Sequence, residues 1–144
     1  MKIYLSGAIR GGREFQPVYQ VILEFLKING HEILTHHVAA KNVMNIEKSM
    51  SDRDIYIQDI KWLQECDAII AEVSIPSLGV GYEIAYALGL SPPKPILALF
   101  DESRAPISAI LSGNFSPTLR IHSYKDILQL KGLIGSFLNS LKKK

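Results

Sequence analysis

Glu83 closes the run Gly79-Val80-Gly81-Tyr82-Glu83 and is the residue best placed to do chemistry. Before it, Ala68-Ile69-Ile70-Ala71 is an apolar run suited to a strand buried on both faces. Ser74, Pro76, Ser77 and Gly79 then read as loop residues, and Gly81-Tyr82-Glu83 opens a run of small and apolar residues with helical spacing. In open parallel sheets, ligands bind where strand, loop and helix meet in that order. A carboxylate in the first turn of such a helix is favoured in its ionised form by the helix dipole. That suits a nucleophile or an electrostatic stabiliser; the plain alternative is a glutamate that caps the helix. The run starts like G-x-G-x-x-G, but Ile84 stands at the last glycine position, so it is not a dinucleotide fingerprint.

Asp59 is a second carboxylate, in Gln58-Asp59-Ile60. A carboxylate pair is the usual equipment for cleaving a glycosidic bond, one attacking and one protonating the leaving group. Asp52, Asp54 and Asp67 compete for the second role, and each also reads as a solvated acid. Gly7–Arg13 (GAIRGGR) is a glycine-rich loop with two arginines. Glycines let backbone N–H groups approach an anion, and arginine adds a forked permanent charge. The loop reads as a phosphate site or as a turn with surface arginines. No Gly-Lys-Ser/Thr follows, so it is not a P-loop. His36-His37, His31 and His122 have no metal-ligand spacing, and no metal is expected. His36 and His37 should point to opposite sides of a strand end.

These residues need a frame. Lys2–Ser6, His31–Thr35, Asp67–Ala71, Pro95–Phe100 and Thr118–His122 read as strands. Glu14–Asn29, a segment capped by Ser51 or Asp52 and running to Gln64, Leu78–Leu90, a short Ala105–Leu111 and Lys125–Leu141 read as helices. Residues 38–51 read as a loop with one helical turn. The alternation predicts an α/β domain with a five-stranded parallel sheet, a flavodoxin/Rossmann-like three-layer sandwich in the order 2-1-3-4-5. The first and third strands are then neighbours, and the loops at Arg10 and Glu83 face one crevice.

The chain has 144 residues, 47% hydrophobic and 21% charged, ordinary for one globular domain over residues 1–144. Its net charge of +2 includes Lys142-Lys143-Lys144, a solvated tail that implies no nucleic acid. The lone Cys66 excludes an internal disulfide and fits a reducing compartment, the cytoplasm. Its acidic neighbours Glu65 and Asp67 disfavour a thiolate. No apolar run is long enough for a membrane span. The sequence opens on a strand, with no signal peptide expected.

Tyr4–Glu14 (YLSGAIRGGRE), Thr35–Ala40 (THHVAA), Gln58–Ala71 (QDIKWLQECDAIIA) and Ser77–Glu83 (SLGVGYE) together resemble the 2'-deoxynucleoside 5'-phosphate N-hydrolases, within the wider nucleoside 2-deoxyribosyltransferase superfamily. The resemblance spans Tyr4 to about Gly113. It implies hydrolysis of the N-glycosidic bond of a deoxynucleoside monophosphate, without a cofactor. It casts Glu83 as a nucleophile forming a glycosyl ester, Asp59 as acid/base at the leaving base, and Tyr4 as the residue orienting the nucleophile. It places Arg10 and Ser77 at the phosphate. Ser6, Gly7, Ala8 and Ile9, with Gly11 and Gly12, fall on substrate-binding positions, as do Tyr19, His37 and Gly79. Ser108 falls on a position supplied by the second subunit, implying a homodimer with shared sites. Where relatives carry serine in the first loop, this chain has Ala8. The missing hydroxyl is worth roughly 1.5–3 kcal/mol if its bond to phosphate is charge-assisted, which would weaken selection of monophosphates. The rival readings are a base-exchanging deoxyribosyltransferase and a non-catalytic nucleotide-binding module. The Arg10 loop speaks against the first and the Tyr4, Asp59 and Glu83 set against the second.

Overall fold

A computed structural model describes residues 1–142 of the chain. Lys143 and Lys144 of the expected solvated tail lie outside the described residues. Five parallel strands form the sheet: β1 (Lys2–Ser6), β2 (Glu32–Ile33), β3 (Ala68–Glu72), β4 (Ile96–Asp101) and β5 (Leu119–Tyr124). Their order is β2-β1-β3-β4-β5, as the alternation predicted. Tyr4 pairs with Ile69 and Ser6 with Ala71, so β1 and β3 are neighbours.

Successive side chains on a strand face opposite ways, and this divides the core in two. Ile3, Leu5, Ile70, Leu97 and Leu99 pack against α1 (Gln16–Ile28) and α6 (Ile127–Leu141). Tyr4, Ile69, Ala71, Ile96 and Ala98 pack with Leu63 of α3 (Asp52–Glu65) and with Val80, Ile84 and Ala87 of α4 (Leu78–Leu88). The residues on these central strands are almost wholly excluded from solvent. Each large apolar side chain buried this way contributes roughly 1.5–3 kcal/mol.

Several boundaries differ from expectation, each for a local reason. β2 is two residues rather than His31–Thr35. Thr35 Oγ1 donates to the Leu5 carbonyl at 2.7 Å and accepts from the Leu5 N–H at 2.8 Å. A side chain thus takes over where backbone pairing stops. His36 and His37 sit in a 3-10 turn, His36–Ala39, not on a strand end. The next segment contains α2 (Val43–Glu47). α3 starts at Asp52 under a capping box, with Ser51 and Asp54 bonded reciprocally. The short α5 is Ala109–Ser112, not Ala105–Leu111, and a 3-10 turn, Glu102–Arg104, precedes it. Pro106 keeps Ala105 extended, so no helix can run through that position. No helix among the described residues is long and apolar enough to cross a membrane.

Candidate active site

Tyr4 and Ser6 are two apart on β1 and therefore emerge on the same face. Both reach Glu83. Tyr4 Oη–H donates to Glu83 Oε1 at 2.9 Å, and Ser6 Oγ–H donates to Oε2. Each carboxylate oxygen is held by one hydroxyl, which fixes the plane of the group. Burial keeps the Tyr4 phenol far above its ordinary range, with the Glu83 charge adding to the effect. Tyr4 is therefore a permanent donor.

Glu83 does not stand in the first turn of its helix. Ser77 caps α4, accepting from the Val80 N–H at 3.4 Å, and the helix starts at Leu78. Glu83 is thus one turn further in, beyond the reach of the dipole's strongest effect. Ionisation is opposed rather than favoured: burial pushes Glu83 up to about 7, while the Ser6 and Tyr4 hydroxyls pull it down and Asp59 adds to the rise.

Asp59 lies on α3, and burial raises it to about 6, helped by the charge of Glu47. A cavity of about 560 Å³ brings Asp59 and Glu83 together with Arg10, Gly11, Ser77 and Gly79. Arg10 and Glu83 do share one crevice. A smaller chamber of about 130 Å³ extends between α3 and α4, with Tyr56, Ile60, Leu63 and Tyr82 around the same two carboxylates. Its walls are mainly apolar.

The first loop is shaped by its neighbours. A Cβ on Gly7 would stand 2.8 Å from the Tyr19 ring, closer than packed carbons can come. A Cβ on Gly11 would stand 2.9 Å from the Pro76 carbonyl oxygen, which shows how closely the two site loops abut. Ala8 N–H donates to Tyr19 Oη at 3.0 Å. Arg13 donates to the carbonyls of Ala8, Val38 and Ala40 at 3.1, 2.8 and 2.8 Å. Of the loop's two arginines, Arg13 is committed to the backbone, and Arg10 lines the cavity.

The expected site residues thus divide. Gly7, Ile9, Arg10, Gly11, Ser77, Gly79, Asp59 and Glu83 line the cavity. Tyr4 and Ser6 support Glu83 from β1. Tyr19 and Ala8 are fully buried beneath the loop, and Gly12 turns toward Ile75. His37 is away from the cavity lining, its ring 5.6 Å from that of Trp62, and burial lowers its pKa. Ser108 is exposed at the start of α5 and does not line this chain's cavity. Cys66 is buried, and that burial, more than Asp67, pushes its thiol up to about 11. Among the described residues no group of three or more His, Cys, Asp or Glu side chains could hold a metal.

Two carboxylates were not anticipated. Glu47 lines the cavity from α2. Glu72 ends β3 fully buried, accepting from Ser74 Oγ–H, from the Ser74 N–H at 3.2 Å and from Tyr124 Oη–H at 2.9 Å. A charge closing the apolar run Ala68–Ala71 was the available signal for Glu72, since such a group is buried only with partners.

Residues 3–129 match the family model described as nucleoside 2-deoxyribosyltransferase. A relative in Methanococcoides burtonii with the provisional name 2'-deoxynucleoside 5'-phosphate N-hydrolase 1 is 44% identical over 114 residues, 79% of this chain and 91% of that protein. The 5-hydroxymethyl-dUMP N-hydrolase of Rattus norvegicus is 44% identical over 114 residues, 77% of this chain and 68% of that one. The structure of the Clostridium botulinum CMP N-glycosidase BcmB is similar with a TM-score of 0.67 and 22% identity, over 95% of this chain and 99% of that one. At that identity the likeness shows the fold.

Proposed function

The chain belongs to the nucleoside 2-deoxyribosyltransferase family, and from that premise we propose that it hydrolyses the N-glycosidic bond of 2'-deoxynucleoside 5'-monophosphates to free base and 2-deoxyribose 5-phosphate. We read residues 1–144 as one such domain. The observation that carries this is the bracing of Glu83 by Tyr4 and Ser6 within a cavity that also holds Arg10. A carboxylate fixed by two hydroxyls suits attack at C1', and the loop around Arg10 suits the 5'-phosphate.

In the first step a Glu83 oxygen bonds to C1' as the C1'–N bond breaks. The bond's electron pair leaves with the base, which takes a proton from Asp59. In the second step a water gives a proton to Asp59 and its oxygen bonds to C1', releasing Glu83. Two inversions give net retention. The transition states are oxocarbenium-like, and the ionised carboxylate beside the developing cation lowers their energy. Ser77 and the loop glycines supply hydroxyl and N–H donors at the phosphate end, in place of the hydroxyl that Ala8 lacks.

The match to a transferase model favours a second reading, in which a free base rather than water resolves the ester. The test is base release over a panel of deoxy- and ribonucleoside 5'-monophosphates, with and without an added second base. Free base and 2-deoxyribose 5-phosphate are the expected products. A new nucleotide formed with the added base would move the assignment to exchange. No release above a Glu83→Ala control would remove the enzyme reading.

A cytoplasmic homodimer completes the proposal. Ser108 is exposed on its own chain, and Ile110 and Phe115 beside it are 85% and 97% exposed. Leu78, 97% exposed, stands at this chain's cavity. Exposed apolar groups of this size suit contact with a second copy.

A further inference from the structure

Arg10, the cation that the proposed function assigns to the phosphate, is already engaged. Its Nε lies 3.4 Å from Glu47 Oε2 and its Nη2 lies 3.3 Å from Asp52 Oδ1. The two contacts are not equal. The Asp52 side chain is 89% exposed and that of Glu47 only 11%. A solvated pair contributes little, whereas a desolvated carboxylate depends on its partner. Glu47 also lines the cavity that contains Asp59.

We infer that Glu47 is a positioning residue for the acid–base step: it holds Arg10 in the free enzyme, and when a substrate phosphate draws Arg10 away, its bared carboxylate keeps the proton on Asp59. The inference rests on reading the cavity as a nucleotide site.

The surroundings of Asp59 make the step effective. The titratable and charged groups facing it are Tyr4 from β1, Arg10 from the first loop, Glu47 from α2, Asp52 and Tyr56 from its own α3, and Glu83 and Tyr82 from α4. Arg10 is the only cation in that set. Glu83 receives two hydroxyl hydrogen bonds, which favour its ionised form. Asp59 receives none among the described residues, so its proton is governed by burial first and by the neighbouring charge of Glu47 second. Once a phosphate dianion draws Arg10 away, the charge of Glu47 is no longer fully neutralised. Arg13 cannot replace it, because its guanidinium is bonded to three backbone carbonyls. The 5'-phosphate thus does more than anchor the nucleotide. It arms the acid that the leaving base needs, and it does so only when the phosphate is present.

The experiment is a ¹³C NMR titration of the Asp59 carboxyl in the intact protein, with and without 2-deoxyribose 5-phosphate, in the native chain and in Glu47→Gln. In the native chain the sugar phosphate should raise the midpoint by about one pH unit, a tenfold change in proton affinity. In Glu47→Gln most of that rise should vanish. An unmoved midpoint in the native chain overturns the inference, whatever the variant does. An equal rise in Glu47→Gln also overturns it, because the phosphate would then act on Asp59 directly. Kinetics supply a second readout. Glu47→Gln should release a poorly leaving base about 3- to 10-fold more slowly at pH 8, with KM unchanged or lower because Arg10 is freed for phosphate. If the native chain released no base from any monophosphate, the proposed function would fail, while the titration would still decide the role of Glu47.

Discussion

Glu83 sits between opposing influences. Burial raises its pKa to about 7, and the hydroxyls of Tyr4 and Ser6 lower it. A nucleophile must be ionised, so for as long as Asp59 keeps the proton that the base needs, base release should rise with pH through the Glu83 pKa. Tyr4→Phe removes one donor to the charged form and leaves the ring in place. A hydrogen bond to a charged group is worth about 1.5–3 kcal/mol, so the acidic limb of the pH profile should move up by about 1–2 units. The loss is therefore large at pH 6 and small at pH 9. A limb that stays in place in Tyr4→Phe would show that the phenol does not tune Glu83. The residues that meet in the cavity were legible in the sequence: a carboxylate after a glycine loop, a second carboxylate on the preceding helix, an arginine among glycines. What supports them was harder to see. Glu47 lies in a segment without clear periodicity, and its pairing with Arg10 joins positions 37 residues apart in the chain.

The elements show how the site is aimed. α3 carries Asp59, and its start is fixed by the Ser51–Asp54 capping box. Ser51→Ala should cost about 0.5–2 kcal/mol of stability in thermal or denaturant unfolding. Base release by the folded fraction should hold near the native rate, because the first turn of α3 lies two turns from Asp59. A loss of turnover larger than the loss of folded protein would mean that the cap also sets the position of Asp59. Strand order was legible because strands and helices alternate along the chain, with β3 and β4 as clear apolar runs. The place of Glu83 on α4 misled by one turn. Gly79 and Gly81 are poor helix formers, so its start is easily placed after them, yet Ser77 caps it at Leu78. The histidine pair misled in the same way: a side chain, Thr35 Oγ1, ended the ladder that local preference would have continued.

At the scale of the whole molecule, the question is whether one chain holds a complete site. The cavity contains Glu83, Asp59 and Arg10, but Ser108 is exposed outside it. If a second copy supplies Ser108, two different damaged chains should repair each other. Glu83→Ala removes the proposed nucleophile from its own site. Ser108→Trp, at an exposed position that the fold tolerates, would block the site of its partner. Each variant alone should be inactive or nearly so. In a mixed dimer one site carries both lesions and the other carries neither. Equal mixing with free exchange makes half of all dimers mixed, so about a quarter of the sites should be native. Base release should therefore recover to about a quarter of the native rate on mixing, and should fall on dilution as dimers separate. The alternative has a clear signature. If each chain is complete, mixing two inactive variants gives no recovery, and Ser108→Trp alone retains near-native turnover. The arithmetic separates the two arrangements without any knowledge of the preferred base.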